Sequence, residues 1–270
     1  MSTTIGIMGC GWLGLPLAKE LLHQGYAVKG TTTSAEKLAL LQKEGIVPAL
    51  IKLTEKGIQG DMATFIADVS VLVVNVPPGL RGKAKPENYV AKMGQLVRSL
   101  ENTKVKKVLF VSSTSVYGDA TGTVTEETVP VPSTASGKQL LEAEKVFREE
   151  TDWATTVLRF GGLIGPDRHP VRQLAGREGL ANGNDPVNLI HLDDCLGIMA
   201  SVITQNIWNT TLNGVYPAHP KKRDYYGKMA QKLGLEPPKY GMAAKSNAKK
   251  VRSCKYFLLN TYVYKTKIET

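Results

Sequence analysis

Cysteine is scarce: only Cys10, Cys195 and Cys254 occur in 270 residues, far apart and odd in number. That spacing fits neither a disulfide framework nor a zinc cluster, and it points to a reducing compartment. Histidine is rarer than usual too, with four scattered residues, so no metal site is expected. Long apolar runs are missing, so no segment is expected to cross a membrane. The apolar N-terminus is broken by Gly9, Gly11, Gly14 and Lys19. This excludes a signal peptide and predicts a strand followed by a helix. Together these absences place the chain in the cytoplasm. Acidic residues are the minority, which leaves a net charge of +10. Basic residues thicken late in the chain, at Lys221, Lys222, Arg223, Lys245, Lys249, Lys250, Arg252 and Lys255. They are either a field that draws an anionic cofactor or substrate, or a solvated basic surface. No aromatic-and-basic module accompanies them, so a nucleic-acid partner is not expected.

What is present is an alternation of strand and helix patterns through the first 160 residues. Strands are predicted at residues 5–8, 26–31, 47–53, 69–75, 105–112 and 153–159. The run 69–75 (VSVLVVN) is continuously apolar, as a strand buried on both faces requires. Helices are predicted at 13–24, from Ser34 to near Gly45, at 86–100 and at 138–150. Six strands alternating with helices imply an α/β, Rossmann-type, doubly wound parallel sheet. After Gly161 glycine and proline become frequent and the apolar segments shorten. Residues 1–165 read as the dinucleotide-binding domain, and 166–270 as a smaller substrate lobe partly interwoven with it. That lobe shows helices at 193–204 and 224–233 and short strands at 187–190 and 210–216. The tail beyond Pro237 carries no clear pattern.

Gly9-Cys10-Gly11-Trp12-Leu13-Gly14 follows the first strand and opens the first helix. Gly9 allows the tight turn, Gly11 admits a phosphate to the backbone, and Gly14 lets the helix pack closely. The pyrophosphate then lies on helix N–H groups at the positive end of the dipole. Trp12 is expected to pack under the cofactor, and Leu13 to line it. An NAD site usually ends its second strand on a carboxylate, whereas this one ends Thr31-Thr32-Thr33-Ser34. Thr32, Thr33, Ser34 and Lys37 suit a 2′-phosphate, so NADP is favoured and NAD admitted. Ser34 also reads as a helix cap, and Lys37 as a surface residue. Leu53, Val76, Pro77 and Ser112 complete the expected cofactor contacts. Asn75 through Gly79 reads as cofactor floor or as an ordinary turn.

The first 45 residues resemble the β-hydroxyacid dehydrogenases, but nothing after residue 105 fits their all-helical second domain. The chain as a whole resembles the extended and atypical short-chain dehydrogenase/reductases, the NAD-dependent epimerase/dehydratase family. The likeness is carried by Val111-Ser112-Ser113-Thr114-Ser115-Val116-Tyr117-Gly118, by Glu126-Glu127 before Pro130 and Pro132, and by Leu158-Arg159-Phe160 through Gly165-Pro166. Ile190-His191-Leu192-Asp193-Asp194, Asn213-Gly214-Val215 and Ser246-Asn247-Ala248-Lys249 continue it.

The resemblance implies an enzyme, an NAD(P)-dependent oxidoreductase, epimerase or dehydratase acting on a small molecule such as a sugar nucleotide. It admits a homodimer. It implies a serine, tyrosine and lysine working together: Ser113 to orient the substrate oxygen and Lys138 to hold the nicotinamide ribose. The tyrosine belongs four residues before Lys138, where the chain has Thr134, whose hydroxyl has no accessible pKa near neutrality. Three explanations stand. Another residue supplies the proton, Tyr117 being the candidate, although it also reads as a structural tyrosine. Or substrate or water carries the proton. Or the protein is a catalytically inactive NADP-binding sensor. Arg168, His169 and Arg172 read as an anion-binding group in the substrate cleft, or as an exposed basic loop. Asp193 and Asp194 read as helix caps.

Overall fold

The computed structural model describes residues 3–79, 87–241 and 248–269. Seven strands form the central sheet: β1 (Thr4–Met8), β2 (Ala27–Thr32), β3 (Val47–Leu50), β4 (Val69–Val74), β5 (Lys107–Ser113), β6 (Ala154–Phe160) and β7 (Thr211–Gly214). All pairings are parallel and the order is β3-β2-β1-β4-β5-β6-β7. Parallel strands need helices on both faces, which is why residues 5–8 of β1, 71–74 of β4 and 108–110 of β5 are buried. Helices α1 (Gly14–His23), α2 (Lys37–Lys43), α3 (Met62–Ile66), α4 (Tyr89–Leu100), α5 (Ala135–Arg148) and α6 (Leu192–Thr204) supply the cover, and α7 (Lys222–Lys232) belongs to the second lobe. Leu96, Phe110 and Phe147 centre one core under α4 and α5, while Leu17, Leu21 and Ile198 centre the other under α1 and α6. Strand order reverses between β1 and β4, and a crevice opens there at the carboxyl ends of the strands.

The doubly wound sheet agrees with the expectation, and several elements differ from it. The predicted third strand stops at Leu50. Lys52–Thr54 instead pairs antiparallel with Gly57–Gln59, because the chain turns back at Glu55-Lys56. Helix α2 begins at Lys37, not at Ser34. Ser34 makes no cap bond and its hydroxyl donates to the Glu36 carboxylate. Helix α5 begins at Ala135, where Thr134 caps it by accepting from Gly137 N at 3.1 Å. The expected strand at 210–216 belongs to the central sheet as β7, and α6 packs beside α1, so the second lobe is smaller than 166–270. The expected helix start at Pro86, along with Lys245, Ser246 and Asn247, lies outside the described residues.

The lobe proper is a separate cluster of Ile164, Val171, Leu189, Tyr225, Tyr226 and Met229, set on the parallel pair Gly162–Ile164 and Leu189–His191. The tail is placed by long-range polar bonds. Asp194, fully buried in the first turn of α6, accepts from Lys265 N at 2.7 Å and Tyr262 OH at 3.0 Å. His191, not an aspartate, provides the α6 side-chain cap, accepting from Asp193 N.

His169 locks the lobe to the tail. Tyr225 OH donates to Ile268 O at 2.8 Å, so it accepts from His169 Nε2 at 2.9 Å, and His169 Nδ1 accepts from Val171 N at 3.1 Å. Only the neutral ring satisfies all three, and burial, then Arg172, lowers its pKa to about 4. The unfolded chain therefore binds the extra proton between about pH 6.5 and the folded value, and the stability this ring contributes is lost as pH falls through that window. Urea melts of wild type and His169→Gln should differ most above pH 6.5 and converge as pH drops toward 5. Parallel pH curves would refute this.

Candidate functional site

A cavity of about 650 Å³ occupies the crevice, and the glycine loop forms one wall. Gly9 turns with φ +102°, and its N–H donates to Thr31 Oγ1 at 2.9 Å. A Cβ on Gly14 would stand 2.1 Å from Gly9 O, so this glycine is required for packing against the loop itself. A Cβ on Gly11 would meet nothing within 4 Å, which leaves the space a phosphate needs. Leu13, at the N-cap of α1, makes no side-chain cap bond, and no acid lies in the first turn. The positive helix end is thus open to an anion. Opposite, Asn75, Val76 and Pro77 line the cavity, and the fully buried Tyr89 holds that floor through a 2.8 Å bond to Val76 O.

Beyond the loop, Thr32, Thr33, Lys37 and Leu53 line the cavity beside Lys52, and Ser34 does not. Lys92 and Glu87 form a close ion pair on the same wall. Lys37, Lys52 and Arg168 make no ion pair among the described residues, so three positive charges face the cavity uncompensated. Lys52, Glu87 and Lys92 were missed in the sequence. Lys52 lies in the hairpin that stands in place of the end of the expected third strand, and Lys92 sits one turn into α4.

Ser112 and Ser113 close the other end. Ser113 Oγ accepts from Ser115 N at 3.1 Å, which leaves its hydroxyl hydrogen for a ligand oxygen. Ser112 Oγ donates to Glu144 at 2.6 Å. Two expected partners are elsewhere. Lys138 is exposed, and Leu140 is the α5 residue that lines the cavity. Two residues apart on a helix point about 200° apart, so Leu140 facing the cavity sends Lys138 away from it. Tyr117 is 1% exposed. Its hydroxyl donates to Asn213 Oδ1 at 2.9 Å and accepts from Arg159 at 2.9 Å. Burial pushes the Tyr117 hydroxyl up against the opposing effect of Arg159, and the residue does not line the cavity.

Arg159 holds this region together. It is 3% exposed and pairs with Glu144, itself 1% exposed, through Nε at 3.0 Å and a second nitrogen at 2.5 Å. Asn213 extends the network to Arg252 O at 3.1 Å, and Glu126 binds Asn213 N and Cys254 N, each at 2.7 Å. Truncating one partner of a buried ion pair strands the other, so Glu144→Ala should cost about 3–5 kcal/mol. Tyr117→Phe leaves one buried donor and one acceptor short and should cost about 1–3 kcal/mol. Denaturant melts check both. Titration of the folded Tyr117→Phe and Lys138→Ala variants should give wild-type nucleotide affinity, and a large loss in either would return that residue to the cavity.

The sequence signature of the NAD(P)H-binding family matches residues 9–187. Protein YeeZ of Escherichia coli K12 is 35% identical over 248 residues, covering 92% of this chain and 90% of its own. An uncharacterized UDP-glucose epimerase, YtcB of Bacillus subtilis 168, is 23% identical over 231 residues, covering 75% of this chain and 73% of its own. Among solved structures, UDP-glucuronic acid 4-epimerase from Bacillus cereus in complex with NAD has a TM-score of 0.81 at 18% identity, covering 99% of this chain and 93% of its own. MoeE5 in complex with UDP-glucose and NAD has a TM-score of 0.79 at 20% identity, covering 98% and 95%. At such identities the likeness concerns the fold. Among the described residues no helix is long and apolar enough to cross a membrane. The chain belongs to the NAD(P)H-binding family, with the Rossmann-like fold of the NAD-dependent epimerase/dehydratase group.

Proposed function

We propose that this chain is an NADP(H)-dependent enzyme that moves a hydride to or from a small anionic alcohol or carbonyl compound, a sugar nucleotide being the favoured class. The observation that carries the reading is one continuous cavity with the glycine loop and open α1 terminus at one end and Ser112 and Ser113 at the other. The nicotinamide, when bound, supplies the hydride acceptor or donor. The protein's own part is positioning. The glycine loop holds the pyrophosphate, Thr32, Thr33 and Lys37 take the 2′-phosphate with Lys52 beside them, and Ser113 donates a hydrogen bond to the substrate oxygen. No tyrosine or histidine is among the described residues lining the cavity, and Glu87 there is paired with Lys92; in this reading the proton that accompanies hydride transfer passes to or from water or the substrate. The neighbours solved with NAD and sugar nucleotides favour an enzyme over a sensor that binds without turnover.

The test is calorimetric titration with NADPH and NADH. NADPH should bind at least about tenfold more tightly, a difference of about 1.4 kcal/mol. Lys37→Glu should narrow that ratio, and Gly11→Asp should abolish binding of both by filling the phosphate space with a carboxylate. Equal affinities would overturn the NADP preference, and no binding of either would overturn the whole reading. Catalysis is then checked by NADPH oxidation against a panel of carbonyl compounds and sugar nucleotides, and no turnover with any would favour the sensor.

A further inference from the structure

Trp12 stands inside the glycine loop, between the open Gly11 and the α1 cap, yet its contacts are with a loop more than 150 residues later. Its indole N–H donates to Asp167 Oδ1 at 3.2 Å. The guanidinium of Arg168 lies over its ring, 4.9 Å from the centroid. A Cβ on Gly165 would sit 2.8 Å from the indole, so this glycine makes room for the ring. The partner loop is rigid. Gly165 N donates to Arg168 O at 2.8 Å and Arg168 N to Gly165 O at 3.2 Å, which closes a tight turn that the His169 bonds anchor from behind. Trp12 and Arg168 both line the cavity. Among the described residues no carboxylate pairs with Arg168, so its planar face is used by the indole while its nitrogens remain available.

We infer that Trp12 and Arg168 form a clasp that binds a diphosphate at the cavity mouth, with Arg168 making the contact and Trp12 holding the guanidinium edge toward the phosphate loop. The inference rests on the dinucleotide reading above and adds to it a specific contact from the far side of the cleft. A guanidinium fork matches phosphate oxygens in geometry, and stacking on an aromatic face spends none of its N–H donors. The diphosphate is either the cofactor's own or that of a substrate seated beside it.

Calorimetry on wild type, Arg168→Gln, Arg168→Lys and Trp12→Ala separates these cases. The probes are NADPH, adenosine 2′,5′-bisphosphate (which lacks the pyrophosphate), and inorganic pyrophosphate added to NADPH-saturated protein. If the clasp holds the cofactor, Arg168→Gln weakens NADPH about tenfold or more, in the range of a lost charge-assisted bond, and leaves the bisphosphate unchanged. Trp12→Ala, with Arg168 intact, then weakens NADPH severalfold, and Arg168→Lys restores part of the loss. If the clasp holds a substrate diphosphate, NADPH is unaffected and the binding of inorganic pyrophosphate to the loaded protein is lost instead. Wild-type affinity of Arg168→Gln for both NADPH and inorganic pyrophosphate overturns the clasp while leaving the function above intact. Equal weakening of NADPH and the bisphosphate overturns it too, since that marks a general electrostatic effect. Failure of wild type to bind NADPH removes the function and the clasp together.

Discussion

The guanidinium of Arg159 is the group on which the half of the fold around β5, β6 and α5 depends. Burying an arginine and a glutamate costs several kcal/mol for each ion, and the cost is offset only where geometry is close and the remaining donors are satisfied. Here one face of Arg159 grips Glu144 of α5 and the other donates to Tyr117, whose hydroxyl passes the chain of bonds to Asn213 of β7. Glu144 in turn accepts from Ser112 on β5. A single cation on β6 therefore fixes the rotation of α5 and the end of β5, and through Asn213 it reaches the C-terminal tail at Arg252.

That arrangement has a chemical consequence. With Glu144 turned inward, the face of α5 that carries Gly137, Leu140, Ala143 and Phe147 is buried, and Leu140 becomes the cavity residue. An aliphatic side chain occupies a wall where the epimerase/dehydratase resemblance implies a lysine, and the same helix rotation sends Lys138 to solvent. Under the proposed function the loss of the tyrosine and the displacement of the lysine, both departures from the resemblance, fit together: with no phenol four residues before it, an ammonium at Lys138 would have no hydroxyl to acidify. The serine pair at the β5 terminus, in contrast, is kept and supported from behind.

The sequence was most legible where structure is local. The glycine loop, the core strands and their alternation with helices follow from short-range rules; Gly9 turns with positive φ, Gly11 has open space, and Gly14 packs against the loop. Legibility ended where long-range partners decide. Lys138 was placed by the family resemblance of its helix, whereas the rotation of α5 is set by Glu144 and a partner on another strand. Tyr117 read both as a proton donor, because its motif ends a strand at the site, and as a structural tyrosine; Arg159, 42 residues later, bonds its hydroxyl, in line with the second reading. The tail had no pattern to read because it is held by Asp194 and Glu126, acids whose partners are backbone N–H groups with no sequence signature.

Charge distribution follows the same logic of position over count. The excess of basic residues over acidic ones says little by itself, since most of it faces solvent. Inside the cleft, however, the one carboxylate on the described walls, Glu87, is matched by Lys92, while Lys37, Lys52 and Arg168 are not matched. All three are exposed, so solvent screens their mutual repulsion in the empty protein. An anion that enters the cavity meets positive charge that no carboxylate of the described walls has claimed. Lys37 and Lys52 stand beyond the glycine loop, beside the end of β2, and Arg168 stands at the loop itself, stacked on Trp12. Two positive centres of this kind suit a ligand that carries phosphate at two places, which is the electrostatic ground on which the proposed preference for NADP(H) rests.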